Sequence, residues 1–241
     1  MVQIFKKELS QFFSALTGYL AIGVFLLLMG LFLFVFPSSS LLDNGYASLD
    51  GFFDLAPWVL LLLVPAVTMR LFSDEFRQGT WELLRTRPLS TWYIVNGKLL
   101  AAVVVVCLAL LPSGLYVASL AWLSTNAPLD GGAITGSYVG LLCLVIVFAA
   151  VGVWGSALTS NPIVAFLIAA FCCFLLFTGF NAVSQINTLQ GGPDFWIDWL
   201  GLQSHYRSMS RGAIDLPDLL YFLVVIFLLV VATNRVLLKK K

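Results

Sequence analysis

Residues 72–88 read FSDEFRQGTWELLRTRP, a polar stretch set between two long apolar runs in a chain with only 10% charged residues. Its flanks decide what it is. A bilayer core of roughly 30 Å is crossed by about 20 mostly apolar residues folded as a helix, because lipid satisfies no backbone N–H or C=O group. The runs at 56–72 and 92–123 meet that description, so the polar stretch is a connector held at a membrane surface.

Four more runs, at 15–36, 134–158, 162–182 and 217–238, bring the expected number of spans to six. A hydrophobic content of 60% and a mean hydropathy of +0.98 agree with an all-α, polytopic membrane protein forming a single transmembrane domain over 1–241. The first run follows Lys6 and Lys7, as the core of a signal sequence would. It is longer than such a core and leads into Phe36-Pro37 where a cleavage site would need small residues, so a retained span is expected. The third run has Pro112 and Gly114 as kink points. Asn161-Pro162 opens the fifth after the tight turn TSNP.

The net charge of +1 gives no reason to expect a nucleic-acid partner, but the positions of the charges are informative. With six spans, eleven Lys and Arg residues fall on the side of the termini (Lys6, Lys7, Arg70, Arg77, Arg85, Arg87, Lys98, Arg235, Lys239, Lys240, Lys241) and two, Arg207 and Arg211, on the other. The positive-inside rule then puts both termini in the cytoplasm. Acidic residues mark the opposite side: Asp43, Asp50 and Asp54, then Asp130, then Asp194, Asp198, Asp215 and Asp218. Its largest piece is the loop 185–216, where Gly191-Gly192-Pro193 forms a turn, and Trp196 and Trp199 predict a short interfacial helix. Residues 1–14 predict an amphipathic helix with Ile4, Phe5, Leu9, Phe12 and Phe13 on one face and Lys6, Lys7 and Glu8 away from it.

Several chemistries lack their residues. Carriers driven by ion gradients keep an ionisable group within the membrane, and the middles of all six spans have none. Arg70 and Lys98, near span ends, are expected to snorkel. The single histidine, His205, lies in the outer loop without visible metal-binding or catalytic partners and is expected to be exposed or packed in the loop. Cys107, Cys143, Cys172 and Cys173 lie in apolar runs without metal-site spacing. No P-loop occurs, so any energy used by this chain comes from another one. Neither a metal site nor a catalytic site is expected.

Within 72–88, one continuous helix would align Phe72, Phe76, Gly79 and Leu83, set Glu75, Glu82 and Thr86 on an adjacent face, and put Asp74, Arg77, Trp81 and Arg85 opposite. Gly79-Thr80 offers a break, with Gly79 ending one helix and Thr80 capping a second that carries Glu82 in its first turn and stops before Pro88. The stretch, followed by WYIVNGK with Gly97-Lys98, resembles the first cytoplasmic loop of type-two ABC exporter permeases. The most similar subgroup is the gliding-motility-associated permease, related to the permease of the nitrous-oxide-reductase copper-maturation system.

The resemblance implies that the loop 73–89 holds a coupling helix docked on a cytoplasmic ATP-binding-cassette subunit pair, with ATP and Mg bound there and no cofactor in this chain. Asp74, Glu75, Gly79, Thr80, Glu82, Leu83 and Pro88 would form or shape that contact. Residues 1–14 would be an elbow helix, and 185–216 would include short helices re-entering the outer leaflet. A second permease chain, identical or homologous, would complete the pathway, with Gly152, Gly155, Ser156 and Ala157 available for close packing, and a subunit with a large periplasmic domain would be a further partner. A secondary carrier or a membrane scaffold is the alternative, and would work without an ATPase.

Overall fold

The computed structural model describes residues 1–14, 16–35, 49–86, 90–123, 130–186 and 193–240. Phe36-Pro37, Asp43, Pro88 and Gly191-Gly192 lie outside them. Among the described residues every regular element is a helix: α1 (Val2–Ser14), α2 (Leu16–Phe34), α3 (Asp50–Thr68), α4 (Arg70–Arg77), α5 (Thr80–Arg85), α6 (Thr91–Leu110), α7 (Gly114–Leu123), α8 (Gly131–Leu158), α9 (Pro162–Phe174), α10 (Phe180–Ser184), α11 (Pro193–Trp199), α12 (Leu202–Ser210) and α13 (Leu216–Lys239).

Among the described residues five stretches are long and apolar enough to cross a membrane by themselves, and the bent pair α1–α2, taken as one span, brings the number to six. The second span is longer than its apolar run predicts. It starts at Asp50 and continues through α4 to Arg77, so the first part of the polar connector, Phe72–Arg77, prolongs the span helix. The third is broken where Pro112 predicts it, by a tight 3-10 turn over Leu111–Ser113 that separates α6 from α7. The fifth contains a wide π-type turn over Leu175–Gly179 that no sequence signal announces. Local caps match the sequence: Asp130 accepts from Gly132 N and Ala133 N at 3.0 and 3.1 Å, and Asn161 from Ile163 N at 3.0 Å ahead of Pro162.

The bundle is organised around α8, which packs on α3, α4, α6, α9, α12 and α13. Its most apolar window is 72% buried, against 22% for each of the last two spans, so α9 and α13 turn most of their surface outward. Close approach at α8 depends on small residues. A Cβ at Gly152 would lie 1.9 Å from Thr68 Oγ1, and one at Gly155 would lie 3.3 Å from Ala169 Cβ. Ser156 and Ala157 are likewise fully buried. These four residues, expected to be available to a second chain, are thus engaged within this one.

Proline placement in α3 is compensated by its neighbours. Pro57 has no N–H to offer the carbonyl of Phe53 one turn earlier, and the hydroxyl of Tyr206 on α12 donates to that carbonyl at 2.7 Å. Burial, with Asp54 adding to it, pushes the Tyr206 phenol above its usual range and keeps the proton in place. Replacing Gly152 by Leu should therefore force α3 and α8 apart, lowering the thermal unfolding midpoint of the detergent-purified chain by an amount matching about 1–3 kcal/mol of overpacking. Gly136→Ser, on the same helix, should do likewise, because its Cβ would meet Met209 O at 2.3 Å.

Candidate functional site

At the end of the bundle that carries α1, the α4–α5 turn, the start of α6 and the end of α13, the connector folds as two helices. Gln78 N donates to Asp74 O at 2.9 Å and Gly79 N to Phe76 O at 3.3 Å, closing α4. Gly79 then takes φ +68°, the left-handed conformation that glycine adopts without a Cβ clash. The expected break is there. Thr80 does not cap α5, however; it is its first residue, and its hydroxyl reaches back to Glu75 O at 3.4 Å.

The break re-phases everything after it, so the faces of a continuous helix do not survive. Trp81 is buried and meets Phe72 and Phe76 edge-on, with ring centroids 5.8 and 5.7 Å away. Leu83 leaves the Phe72–Phe76 stripe and is 70% exposed. Gly79, Thr80 and Glu82 are also exposed, Asp74 is half-buried with Arg77 at 3.5 Å, and Glu75 is buried. The seven expected coupling residues are therefore split: Gly79, Thr80, Glu82 and Leu83 form the exposed tip, Asp74 and Glu75 sit below it, and Pro88 is outside the described residues.

Glu75 is held by Lys98. Contrary to snorkelling, the Lys98 side chain is 1% exposed, and its ammonium donates to Glu8 Oε1 at 2.8 Å, Glu75 Oε1 at 2.9 Å and the carbonyl of Leu71. Three donors meet three acceptors, which is what a buried ammonium requires. Lys7 approaches Glu75 Oε1 at 3.3 Å from outside, and the Phe72 ring lies 4.9 Å from the Lys98 nitrogen. Glu8 consequently points into the protein from the same face as Ile4, one turn earlier, and not away with the lysines. Gly97 makes room for this: a Cβ there would come within 3.3 Å of Ile4 Cγ2 and Met1 O.

The end of α13 completes this end of the bundle. Asn234 bonds the hydroxyl of Thr91 at the start of α6, and Lys240 sits over the Phe76 ring, 3.8 Å from its centroid, where burial lowers its affinity for a proton. The Trp81 indole N–H is buried and finds no acceptor among the described residues.

At the far end, His205 is buried in the packing of the 185–216 loop, one of the two placements expected for it. Its Nε2 donates to the Trp199 carbonyl at 2.8 Å, its Nδ1 lies 2.6 Å from Asp218 Oδ1, and its ring stacks on Tyr221. Both ring nitrogens are thus committed to fastening α11 and α12 onto α13. The predicted interfacial helix around Trp196 and Trp199 is observed as α11, joined by α12.

Removing Lys98 should leave the buried carboxylates of Glu8 and Glu75 with only the exposed ammonium of Lys7 beside them. Lys98→Met should destabilise the purified chain by roughly 3–5 kcal/mol, and the triple change Lys98→Met, Glu8→Gln and Glu75→Gln should recover most of the loss in a thermal unfolding assay.

None of the curated proteins compared with the chain matches it. Residues 48–240 match the family model described as ABC-2 family transporter protein, a stretch that takes in every span from the second onward together with the α4–α5 turn. Membrane subunits of this family are generally non-catalytic, with the ATPase in a separate chain. The chain belongs to the ABC-2 transporter family, as a multi-pass permease component of an ABC transporter.

Proposed function

We propose that this permease couples ATP hydrolysis in a pair of cytoplasmic ATP-binding-cassette subunits to movement of its own helices, through the tip formed by Gly79, Thr80, Glu82 and Leu83. The observation that carries the reading is a short exposed helix, α5, hung on a left-handed glycine, whose supporting helix α4 is fastened by Lys98 to both α1 and α6. An exposed apolar side chain beside an acidic one is the composition expected of a docking knob. The braced base lets displacement of that knob reach two spans and the N-terminal helix together. ATP and Mg belong to the partner in this reading.

The distribution of Lys and Arg supports cytoplasmic termini in a bacterial inner membrane. The outward apolar faces of α9 and α13 are where a second permease chain would pack, since α8 is used up within this chain. Apolar spans without intramembrane charge suit a hydrophobic or amphipathic cargo, or transmission of force to a periplasmic-domain subunit as in the gliding-motility-like subgroup.

Co-expression with an ATP-binding-cassette subunit encoded beside this chain tests the coupling. The pair should co-purify, and Glu82→Lys or Leu83→Asp should weaken association about tenfold or more, the worth of one interfacial anchor. Because both side chains are exposed, the unfolding midpoint of the permease itself should not move. Transport by the purified permease in vesicles with no ATPase present would overturn the proposal in favour of a carrier.

A further inference from the structure

A cavity of about 730 Å3 opens among α1, α2, α3, α4 and α9. Along α2 and α3 its wall is apolar, with Leu28, Trp58, Leu62 and Ala66, and it ends towards α4 in Arg70 and Asp74. At a rise of 1.5 Å per residue, Trp58 and Arg70 are about 18 Å apart along the helix, slightly more than half of a hydrocarbon core of roughly 30 Å. The apolar part is thus as deep as one leaflet, and the polar part lies at headgroup level. Trp58 and Leu62 are exposed, so the wall is open at bilayer depth.

The charges at the polar end do not cancel. Glu8, which also lines the cavity, is bonded to Lys98, and Asp74 faces Arg77. Among the described residues no carboxylate lies within ion-pair distance of Arg70. Asp74 Oδ1 is buried and lies 3.5 Å from the Arg77 guanidinium, close enough for an ion pair but without a hydrogen bond. One end of an apolar cleft therefore offers an uncompensated guanidinium, whose fork suits phosphate, beside a carboxylate oxygen that is ion-paired to Arg77 and still accepts no hydrogen bond.

We propose that this cavity holds one phospholipid of the adjoining leaflet, with its phosphate on Arg70, a headgroup amine or hydroxyl on Asp74 and an acyl chain along α2 and α3. An apolar molecule would leave the Arg70 guanidinium unanswered, and a free phosphate would leave the apolar wall empty. The volume falls within the roughly 300–1,000 Å3 of ordinary small-molecule sites.

The full chain, reconstituted in phosphatidylcholine vesicles containing a minor fraction of phosphatidylethanolamine with a diazirine on its acyl chain, is irradiated and the labelled residues are mapped by mass spectrometry. Label should concentrate on Leu62 and Ala66 over the outward-facing Leu223 and Leu228 of α13. Arg70→Glu should lower cavity labelling about tenfold, as for loss of one charge-assisted contact, while Arg70→Lys keeps most of it and labelling of α13 stays constant. Ala66→Trp, which narrows the cleft away from the headgroup, should also reduce it, and a diazirine diacylglycerol, lacking phosphate, should label cavity and outer faces alike. Equal phosphatidylethanolamine labelling of cavity and outer faces, unchanged in Arg70→Glu, would overturn the proposal. So would a cross-link from Leu62 to a second polypeptide, which would seat a partner chain there. No arm uses ATP, so this outcome and that of the coupling test stand separately.

Discussion

The structure depends on one ammonium group. Lys98 sits where a lysine is least at ease, sealed from solvent inside a membrane protein, and it is tolerated because each of its three N–H donors has an acceptor. The acceptors come from three separate places: α1, the start of α4, and Glu75 one turn further along it. Neutralising the site with apolar residues could be as stable, but it would not specify where α1 lies or how α4 is rotated. In a helix bundle otherwise cemented by interchangeable aliphatic contacts, a charge pair with a fixed geometry sets the register of the elements that surround it.

The spans were legible in the sequence because lipid imposes a simple rule of length and hydropathy, and the hinge was legible because glycine before a threonine is a local signal. What could not be read are the partnerships that link distant positions. Glu8 and Lys98 are 90 residues apart and Glu75 and Lys98 are 23 apart, and no periodicity relates them. A helical wheel therefore puts Glu8 on the wet side of α1, and the family resemblance makes Glu75 one more residue of a docking contact. The length of the second span escapes the sequence for a similar reason: the polar residues of α4 read as the end of a membrane helix, yet they continue it, with the Glu75 carboxylate among them answered by Lys7 of α1 and Lys98 of α6. Trp81 and Leu83 exchanged roles as soon as Gly79 turned the chain. His205 hid its partner Asp218 in the same way, thirteen residues downstream on a different helix.

The two ends of the molecule solve the same problem differently. At the basic end, charges are gathered and matched in a cluster. At the opposite end, the freed carbonyl of Phe53 is met by a tyrosine hydroxyl from α12, and an imidazole bridges a backbone carbonyl to a carboxylate. Both arrangements let a short surface helix bind tightly to the ends of spans, where backbone groups lose their helical partners. The spans between them are free to be nearly featureless.

The position of α8 bears on how such a chain can change over generations. A helix enclosed by six others, with glycines where its neighbours touch, tolerates few alterations of volume, and each accepted one demands a matching change across the contact. The outward faces of α9 and α13 face no such test within the chain; any apolar residue of helical habit satisfies them, and what restrains them is whatever they meet outside. Lineages descending from this protein should therefore hold α8 nearly fixed while exploring new associations along the last two spans, so that novelty in assembly arises without reopening the fold.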